Sequence, residues 1–211
     1  MVNIFRFELA RNLSLALFLL ALAVPARAAL VFSDSFDLDE PPGTSILNYT
    51  GFANWDITAG AIDLIGHGGF GIACQSIACV DMDGTSGAAG TLATKATFGA
   101  GSYTIRFDIS GNQRNGNGGT DSLTVTFGDL TESFELAFDD PYTTIVRSAT
   151  VGVGGSKIVF DHAGSDGSGN DQLGIILDNV SLDDSVAIVA PGSALMFAMA
   201  LVGVCLRRRR R

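Results

Sequence analysis

The sequence predicts an all-β protein, a two-sheet β-sandwich of jelly-roll type flanked by an N-terminal signal-peptide helix and a C-terminal transmembrane helix. Apolar and polar residues alternate along several segments, glycine-rich turns separate these segments, and both ends of the chain are apolar with basic flanks. The chain contains 26 glycines, and its middle part has no long stretch with the 3.6-residue period of a helix. We therefore divide it into residues 1–28, a signal peptide, residues 29–185, the exported domain, and residues 186–211, a C-terminal segment.

The N-terminal segment has the three parts of a secretory signal. Arg6 and Arg11 form a basic region, Leu13–Val24 is an apolar run, and Ala26-Arg27-Ala28 matches the small-x-small cleavage pattern. The apolar run would span only about 18 Å as a helix, against a bilayer core of roughly 30 Å. We expect the secretion machinery and signal peptidase to recognise and cleave it, and we favour this over an N-terminal anchor.

The exported domain contains about ten candidate strands. The clearest alternate apolar and polar residues, a period that places one face on a core and the other in water. The candidates are Leu30–Phe36, Trp55–Thr58, Ala61–Ile65, Gly90–Phe98, Tyr103–Ile109, Ser122–Phe127, Phe134–Phe138, Thr143–Val151, Ser156–Phe160 and Leu173–Leu182. So many strands with no helix between them predict two packed sheets.

The C-terminal segment is almost wholly apolar from Val186 to Leu206 and is interrupted by Pro191 and Gly192. It ends in a run of basic residues, Arg207, Arg208, Arg209, Arg210 and Arg211. The apolar part is long enough to cross a bilayer, and the arginines would then stay on the cytoplasmic side. Two alternatives remain open, a sorting signal that is removed and a permanent membrane anchor.

This order of parts resembles the PEP-CTERM sorting signals of exported Gram-negative proteins. The chain has Val189-Ala190-Pro191-Gly192 where the usual motif is Val-Pro-Glu-Pro. The resemblance implies processing by an exosortase-type transpeptidase and delivery to the cell surface or the extracellular matrix.

A second resemblance covers the exported domain. Trp55–Gly66, Val80–Gly84 and Phe107–Arg114 look like blocks that recur in PEP-CTERM proteins, and Leu177–Leu182 is similar to the closing strand of galactose-binding-like sandwiches. The resemblance implies a jelly roll with lectin-like relatives, for which an extracellular polysaccharide is the expected ligand.

The charge of the exported domain excludes some partners. Eight of the thirteen basic residues lie in the two terminal segments together with one acid, Glu8, so 21 acids face 5 bases and the formal charge is −16. Such a surface repels nucleic acid and anionic lipid. It suits divalent cations, or simply solubility outside the cell.

One structural calcium ion is the metal site that the carboxylates predict. The first and last strands of a jelly roll often meet, which would bring Asp34 or Asp37 near Asp178, and calcium prefers six to eight oxygen ligands. The alternative is that these acids are turn residues on a solvated face.

The cysteines and the single tryptophan give two further predictions. Cys74 and Cys79 are expected to form a disulfide in an oxidising compartment, because two thiols with only two histidines make a poor zinc set. Trp55 is open to two interpretations, a buried core residue or an exposed platform for a sugar ring.

No motif in the sequence carries a catalytic mechanism, and no Gly-x-Ser-x-Gly elbow occurs. The sequence therefore favours a non-enzymatic envelope or matrix protein that binds polysaccharide. A carbohydrate-active hydrolase and a structural matrix protein without a ligand are the alternatives.

Overall fold

The computed structural model describes residues 28–39, 43–86, 88–114, 120–163 and 172–185 of the 211-residue chain. The described residues form thirteen strands and one 3₁₀ turn, Gly69–Gly71. The strands are β1 Ala29–Asp34, β2 Trp55–Ala59, β3 Asp63–Gly66, β4 Ala78–Asp81, β5 Asp83–Gly84, β6 Ala88–Ala89, β7 Thr91–Thr94, β8 Gly101–Ser110, β9 Thr120–Phe127, β10 Leu130–Ala137, β11 Thr143–Val151, β12 Val159–His162 and β13 Ile176–Asp184.

Both terminal helices of the prediction fall outside the described residues, as does the whole of the segment 186–211. Within the described ranges no helix has the length and apolar character needed to cross a membrane.

Two antiparallel sheets confirm the predicted β-sandwich. The six-stranded sheet has the order β11-β8-β13-β4-β3, and β1 also pairs with β13. The five-stranded sheet has the order β10-β9-β12-β7-β2, and β5 and β6 form a separate small hairpin. Each of the ten predicted strands overlaps an observed one, with ends that move by a few residues.

The main core lies between the two sheets and is rich in aromatic residues. Phe107 of the six-stranded sheet packs edge-on against Phe160 of the five-stranded sheet, with ring centres 5.2 Å apart. Alternation along β9 places one face of the strand in this core: Leu123, Val125 and Phe127 are buried, while the residues between them are half-buried. Burial of this apolar surface is the main force that holds the sheets together.

Strand β4 is absent from the sequence prediction for a physical reason. Its four residues are all buried, because Val80 faces the main core while Cys79 faces a second apolar cluster on the other side of the sheet. This satellite cluster consists of Ile65, Ile72, Cys74, Cys79 and Ile176, with Tyr142 packed against it. A strand that is buried on both faces shows no alternation, so period-2 patterning does not detect it.

The last strand changes partner along its length. At one edge of β13, Ile176 and Leu177 pair with β4, whereas Val180–Asp184 pair with the first strand, β1. Asp178 lies at this change of partner. The expected meeting of the first and last strands is therefore present, and it places Asp178 at a junction of three strands.

Candidate functional site: a polar groove on the six-stranded sheet

A row of four side chains crosses the outer face of the six-stranded sheet. Along β8, Ile105 and Phe107 point into the core, so Arg106 between them points outward. The register places Arg106 beside Val146 of β11 and Ser181 of β13, and it places Ser181 beside Ser33 of β1. With neighbouring strands about 4.8 Å apart, this Arg106 row is about 14 Å long.

A β-bulge in β13 shapes the end of the row. Between Asp178 and Ser181 the strand advances three residues while β8 advances only two, so Asn179 is the extra residue. Asn179 has a φ of 50°, a conformation that asparagine tolerates better than most residues, and its Nδ2 donates to Oδ2 of Asp108 at 2.9 Å. The bulge therefore keeps Asp178 and Ser181 on the same face and adds an amide side chain beside them.

A pocket of about 430 Å³ lies at the β1 end of the row. One wall is the sheet itself, and the other wall comes from the turn after β1 and the residues just before β2. Its lining residues are Ser33, Asp34, Ser35, Leu38, Asp39, Ala53, Asn54, Arg106, Asn179, Val180 and Ser181. Leu38 is almost fully exposed at the rim, so the pocket combines an apolar edge with a polar floor.

Arg106 differs from the other basic residues of the described chain. Lys95 donates to the Phe52 carbonyl, and the remaining three are paired as Arg114–Asp81, Arg147–Glu132 and Lys157–Asp56. Among the described residues the side chain of Arg106 has neither a hydrogen bond nor an ion pair, and it is exposed. Its guanidinium therefore offers donors to a ligand in the groove.

The groove suits a ligand with many hydroxyl groups. Arginine supplies N–H donors in a fixed plane, asparagine supplies donors and an acceptor, and serine hydroxyls act as either. Asp34 has a structural role in the groove, because its Oδ2 already accepts hydrogen bonds from Asn54 Nδ2 at 3.0 Å and Trp55 Nε1 at 2.8 Å. The arrangement can therefore bind a polyol through hydrogen bonds, and the ligand does not need a charged group.

The predicted calcium residues are brought only partly together. Oδ1 of Asp37 accepts hydrogen bonds from Ser76 Oγ and from the backbone N–H groups of Ile77 and Ala78. Ser76 Oγ also lies 3.5 Å from both oxygens of Asp178, so one hydroxyl lies between the two carboxylates. Asp34 instead accepts hydrogen bonds from Asn54 and from Trp55, the first residue of β2.

These contacts bear on metal binding because N–H and O–H donors occupy lone pairs that calcium would use. Within the described ranges no group of three or more His, Cys, Asp or Glu side chains is placed to hold a metal ion. Calcium at Asp34, Asp37 and Asp178 stays a prediction.

Asp178 gives the domain a pH dependence. Burial raises its pKa from 3.8 to about 7, although N–H donors from Asn179 and Gln75 favour the charged form. The native state therefore holds this proton more tightly than the unfolded chain, and the stabilisation, complete below pH 3.8, is lost as the pH rises to about 7. We expect this group to lower the free energy of unfolding by about 2–4 kcal/mol between about pH 4 and pH 8, measured by urea unfolding in a chelating buffer.

The variant Asp178→Asn is the control, because its amide does not titrate. Its stability should vary less with pH than that of the wild type, and an identical pH profile would contradict the assignment. Calcium added at pH 8 should raise the wild-type midpoint, and not that of Asp178→Asn, if the ion binds there. An unchanged wild-type midpoint would count against calcium.

Trp55 is a core residue, and the alternative interpretation as a sugar platform is wrong. The side chain is 1% exposed. Its ring lies 5.5 Å from that of Phe32 and 5.8 Å from that of Phe160. Because β2 is an edge strand that starts at Trp55, the sequence alone does not show which way its first side chain points.

The two cysteines are joined in the structure. Cys74 and Cys79 form a disulfide with an S–S distance of 2.08 Å and a Cα–Cα distance of 5.4 Å. The proposed sorting residues, Pro191, Gly192 and Arg207 to Arg211, lie outside the described residues.

Residue type and spacing alone do not identify Arg106, Asn179 or Ser181 as site residues. The sequence does indicate that Arg106 faces outward, since it occupies a polar position of the clearest alternating strand. The position of Asn179 is not indicated in this way, because the bulge that presents it depends on the pairing of β13 with β8.

Comparison with known proteins gives a fold and no family. No protein-family model matches the chain, and no curated protein matches its sequence. Among solved structures it is similar to the CBM22-1 xylan-binding domain of Paenibacillus barcinonensis Xyn10C, with 14% identity, coverage of 78% of this chain and 99% of that domain, and a TM-score of 0.48. It is also similar to TmCBM61, solved with β-1,4-galactotriose, with 20% identity over 64% of this chain and 90% of that chain and a TM-score of 0.43.

The Stig cyclase Fisc from Fischerella sp. TAU has 12% identity, coverage of 76% of this chain and all of its own, and a TM-score of 0.51. At such identities the likeness is one of fold alone, and it agrees with the two-sheet sandwich. Similarity of fold does not establish function, so function has to be argued from the site.

Proposed function

We propose that the protein is a non-enzymatic component of the cell envelope or extracellular matrix, and that its β-sandwich binds polysaccharide in the Arg106 groove. The observation that carries the proposal is the outward row of Val146, Arg106, Ser181 and Ser33, which ends in the 430 Å³ pocket. Arg106 is the cationic side chain of the row and has no partner among the described residues.

The shape of the groove supports an extended ligand. The row crosses four strands over about 14 Å, which is longer than one sugar ring and favours a chain of several residues. The exposed Val146 and Leu38 supply apolar edges at the two ends, and the serines and Asn179 supply hydrogen-bonding groups between them. Similarity to carbohydrate-binding modules agrees with this proposal but does not support it independently.

Export and surface sorting complete the proposal and rest on the sequence. The N-terminal segment directs secretion, and the C-terminal segment with Pro191 and its arginines retains the protein at the inner membrane before exosortase-type processing. The intact mass of the mature protein purified from cells tests both cleavages. A mass that includes residues 186–211 would identify the segment as a permanent anchor.

Replacing Arg106 by alanine tests the binding function. We expect Arg106→Ala to weaken binding to soluble polysaccharides at least about tenfold, because a ligand loses charged hydrogen bonds, while stability stays within about 0.5 kcal/mol. Affinity electrophoresis against a panel of xylan, β-glucan and galactan measures the binding, and thermal unfolding measures the stability.

Lys157→Ala is the matched control. It also removes one exposed positive charge, but Lys157 pairs with Asp56 of the five-stranded sheet, 3.7 Å away, and so lies outside the groove. Equal losses in both variants would point to a general effect of charge. If Arg106→Ala binds polysaccharide as tightly as the wild type does, the groove is not the binding site. If the wild type binds no polysaccharide, a structural matrix protein is favoured.

A further inference from the structure

The connection between β3 and β4 presents an aromatic side chain to solvent. Phe70 lies in the 3₁₀ turn of this connection, residues 67–77, and its side chain is 55% exposed. We call this connection the Phe70 loop. It contains no Asp, Glu, Lys or Arg, although the exported domain is strongly acidic.

The Phe70 loop is fixed at several points. His67 N donates to the carbonyl of Ile77, and Gly68 N donates to that of Ile72, both at 2.8 Å. Gln113 binds both the N–H and the carbonyl of Ala73, and the disulfide Cys74–Cys79 closes the end of the loop. The exposed ring is therefore held on a preorganised support, which lowers the entropic cost of binding.

The backbone at Phe70 is strained. Its φ is 51°, between Gly68 at 84° and Gly71 at 82°. Glycine adopts this left-handed region freely, whereas a phenylalanine there costs free energy that the surrounding structure must offset.

The loop and the groove share one face of one sheet. Ile72 and Cys74 of the loop belong to the satellite cluster, which covers the outer side of β3 and β4. Gln75 N donates to Oδ2 of Asp178 at 3.0 Å, and the next residue, Asn179, lines the groove. The Phe70 loop and the groove are therefore neighbours on this face of the sheet.

The size of the exposed surface indicates the kind of ligand. The accessible part of one phenylalanine ring offers roughly 100 Å², far less than the roughly 800 Å² that each partner buries in a stable protein interface. Anionic membrane is disfavoured by the charge of the domain. A flat, uncharged group of the size of a single sugar ring matches the exposed ring best.

We propose that Phe70 is a second carbohydrate contact, which stacks against a neutral pyranose ring of the same polysaccharide that the Arg106 groove binds. The inference rests on the proposed function, because it takes polysaccharide as the ligand. It adds a stacking position outside the groove, since none of the pocket-lining residues belongs to residues 67–77.

The experiment compares Phe70→Ala and Phe70→Gly with the wild type, using neutral xylan, β-glucan and galactan and the disaccharides of each. We expect both variants to bind the polysaccharides about tenfold more weakly and to bind the disaccharides unchanged, because a disaccharide can lie wholly within the groove. Phe70→Gly should melt about 2–4 °C above Phe70→Ala, since alanine keeps the left-handed strain. Val153→Ala, which truncates a fully exposed apolar side chain in a glycine-rich turn, is the control and should bind normally.

The outcomes separate the two proposals. Wild-type affinity in both Phe70 variants, with binding lost in Arg106→Ala, would overturn the Phe70 contact and leave the groove in place. Loss in the Phe70 variants with normal binding by Arg106→Ala would support the Phe70 contact and overturn the groove. A wild-type protein that binds none of the polysaccharides would overturn both.

Discussion

Replacing Trp55 by alanine is expected to lower the free energy of unfolding by about 4–5 kcal/mol, the largest effect of any single substitution that we consider. The ring is buried between Phe32, Phe36 and Phe160, with centre-to-centre distances of 5.5 to 5.9 Å. Its Nε1 also donates to Asp34, so the substitution leaves a cavity and removes a hydrogen bond. Urea unfolding followed by circular dichroism measures the loss.

Two controls separate the parts of this effect. Trp55→Phe keeps most of the ring volume and removes the donor to Asp34, so we expect a loss of only about 1–2 kcal/mol. Val153→Ala should change the stability by less than about 0.5 kcal/mol, because Val153 is fully exposed. A stable Trp55→Ala protein that has lost polysaccharide binding would contradict the burial of Trp55 and restore its interpretation as a platform.

Alternation explains why the sequence predicts the sheets well. In β8 and β9 one face contacts the core and the other contacts solvent, so the pattern of residues records the fold directly. The pattern fails at β4, where Cys79 and Val80 are buried on opposite faces. The satellite cluster that buries Cys79 is built by a loop, and loops leave no periodic signal.

The candidate site is less predictable than the fold, because it depends on register. Arg106, Ser181 and Ser33 are distant in sequence, and only the pairing of three strands makes them neighbours. The expected meeting of the first and last strands is present, and Asp37 and Asp178 both lie beside the hydroxyl of Ser76. Three of the donors to these acids, Gln75, Ser76 and Ile77, belong to the β3–β4 connection, whose path the sequence does not reveal.

A buried ion pair beside the end of β4 gives the second large prediction. A guanidinium nitrogen of Arg114 donates to Oδ2 of Asp81, which is fully buried, and to the carbonyl of Gln172 at 2.7 Å. Oδ1 of Asp81 accepts the N–H groups of Asp83 and Gly174. Arg114 therefore ties the segment after β8 and the segment before β13 to β4, and it supplies the positive charge beside this carboxylate.

Arg114→Met is expected to lower the free energy of unfolding by about 3–5 kcal/mol at pH 9, because it leaves a buried carboxylate without its partner. Burial raises the pKa of Asp81 from 3.8 to about 8, and Arg114 opposes this rise. Without Arg114 the pKa of Asp81 in the native state rises further. The free energy of unfolding of the variant therefore continues to fall above pH 8, whereas the contribution of Asp81 in the wild type has levelled off there. We expect a smaller loss of about 2 kcal/mol at pH 6, where Asp81 is protonated in both proteins.

The double variant Asp81→Asn, Arg114→Met completes the cycle for this pair. At pH 9 it should be more stable than Arg114→Met alone, because the uncompensated charge is gone and a neutral amide still accepts the N–H groups of Asp83 and Gly174. The free energies of unfolding of the wild type, Arg114→Met, Asp81→Asn and the double variant at pH 6 and pH 9 give the coupling energy and its pH dependence. Additive losses at both pH values would mean that Arg114 stabilises the domain through its aliphatic stem and the Gln172 carbonyl, and that Asp81 is neutral throughout.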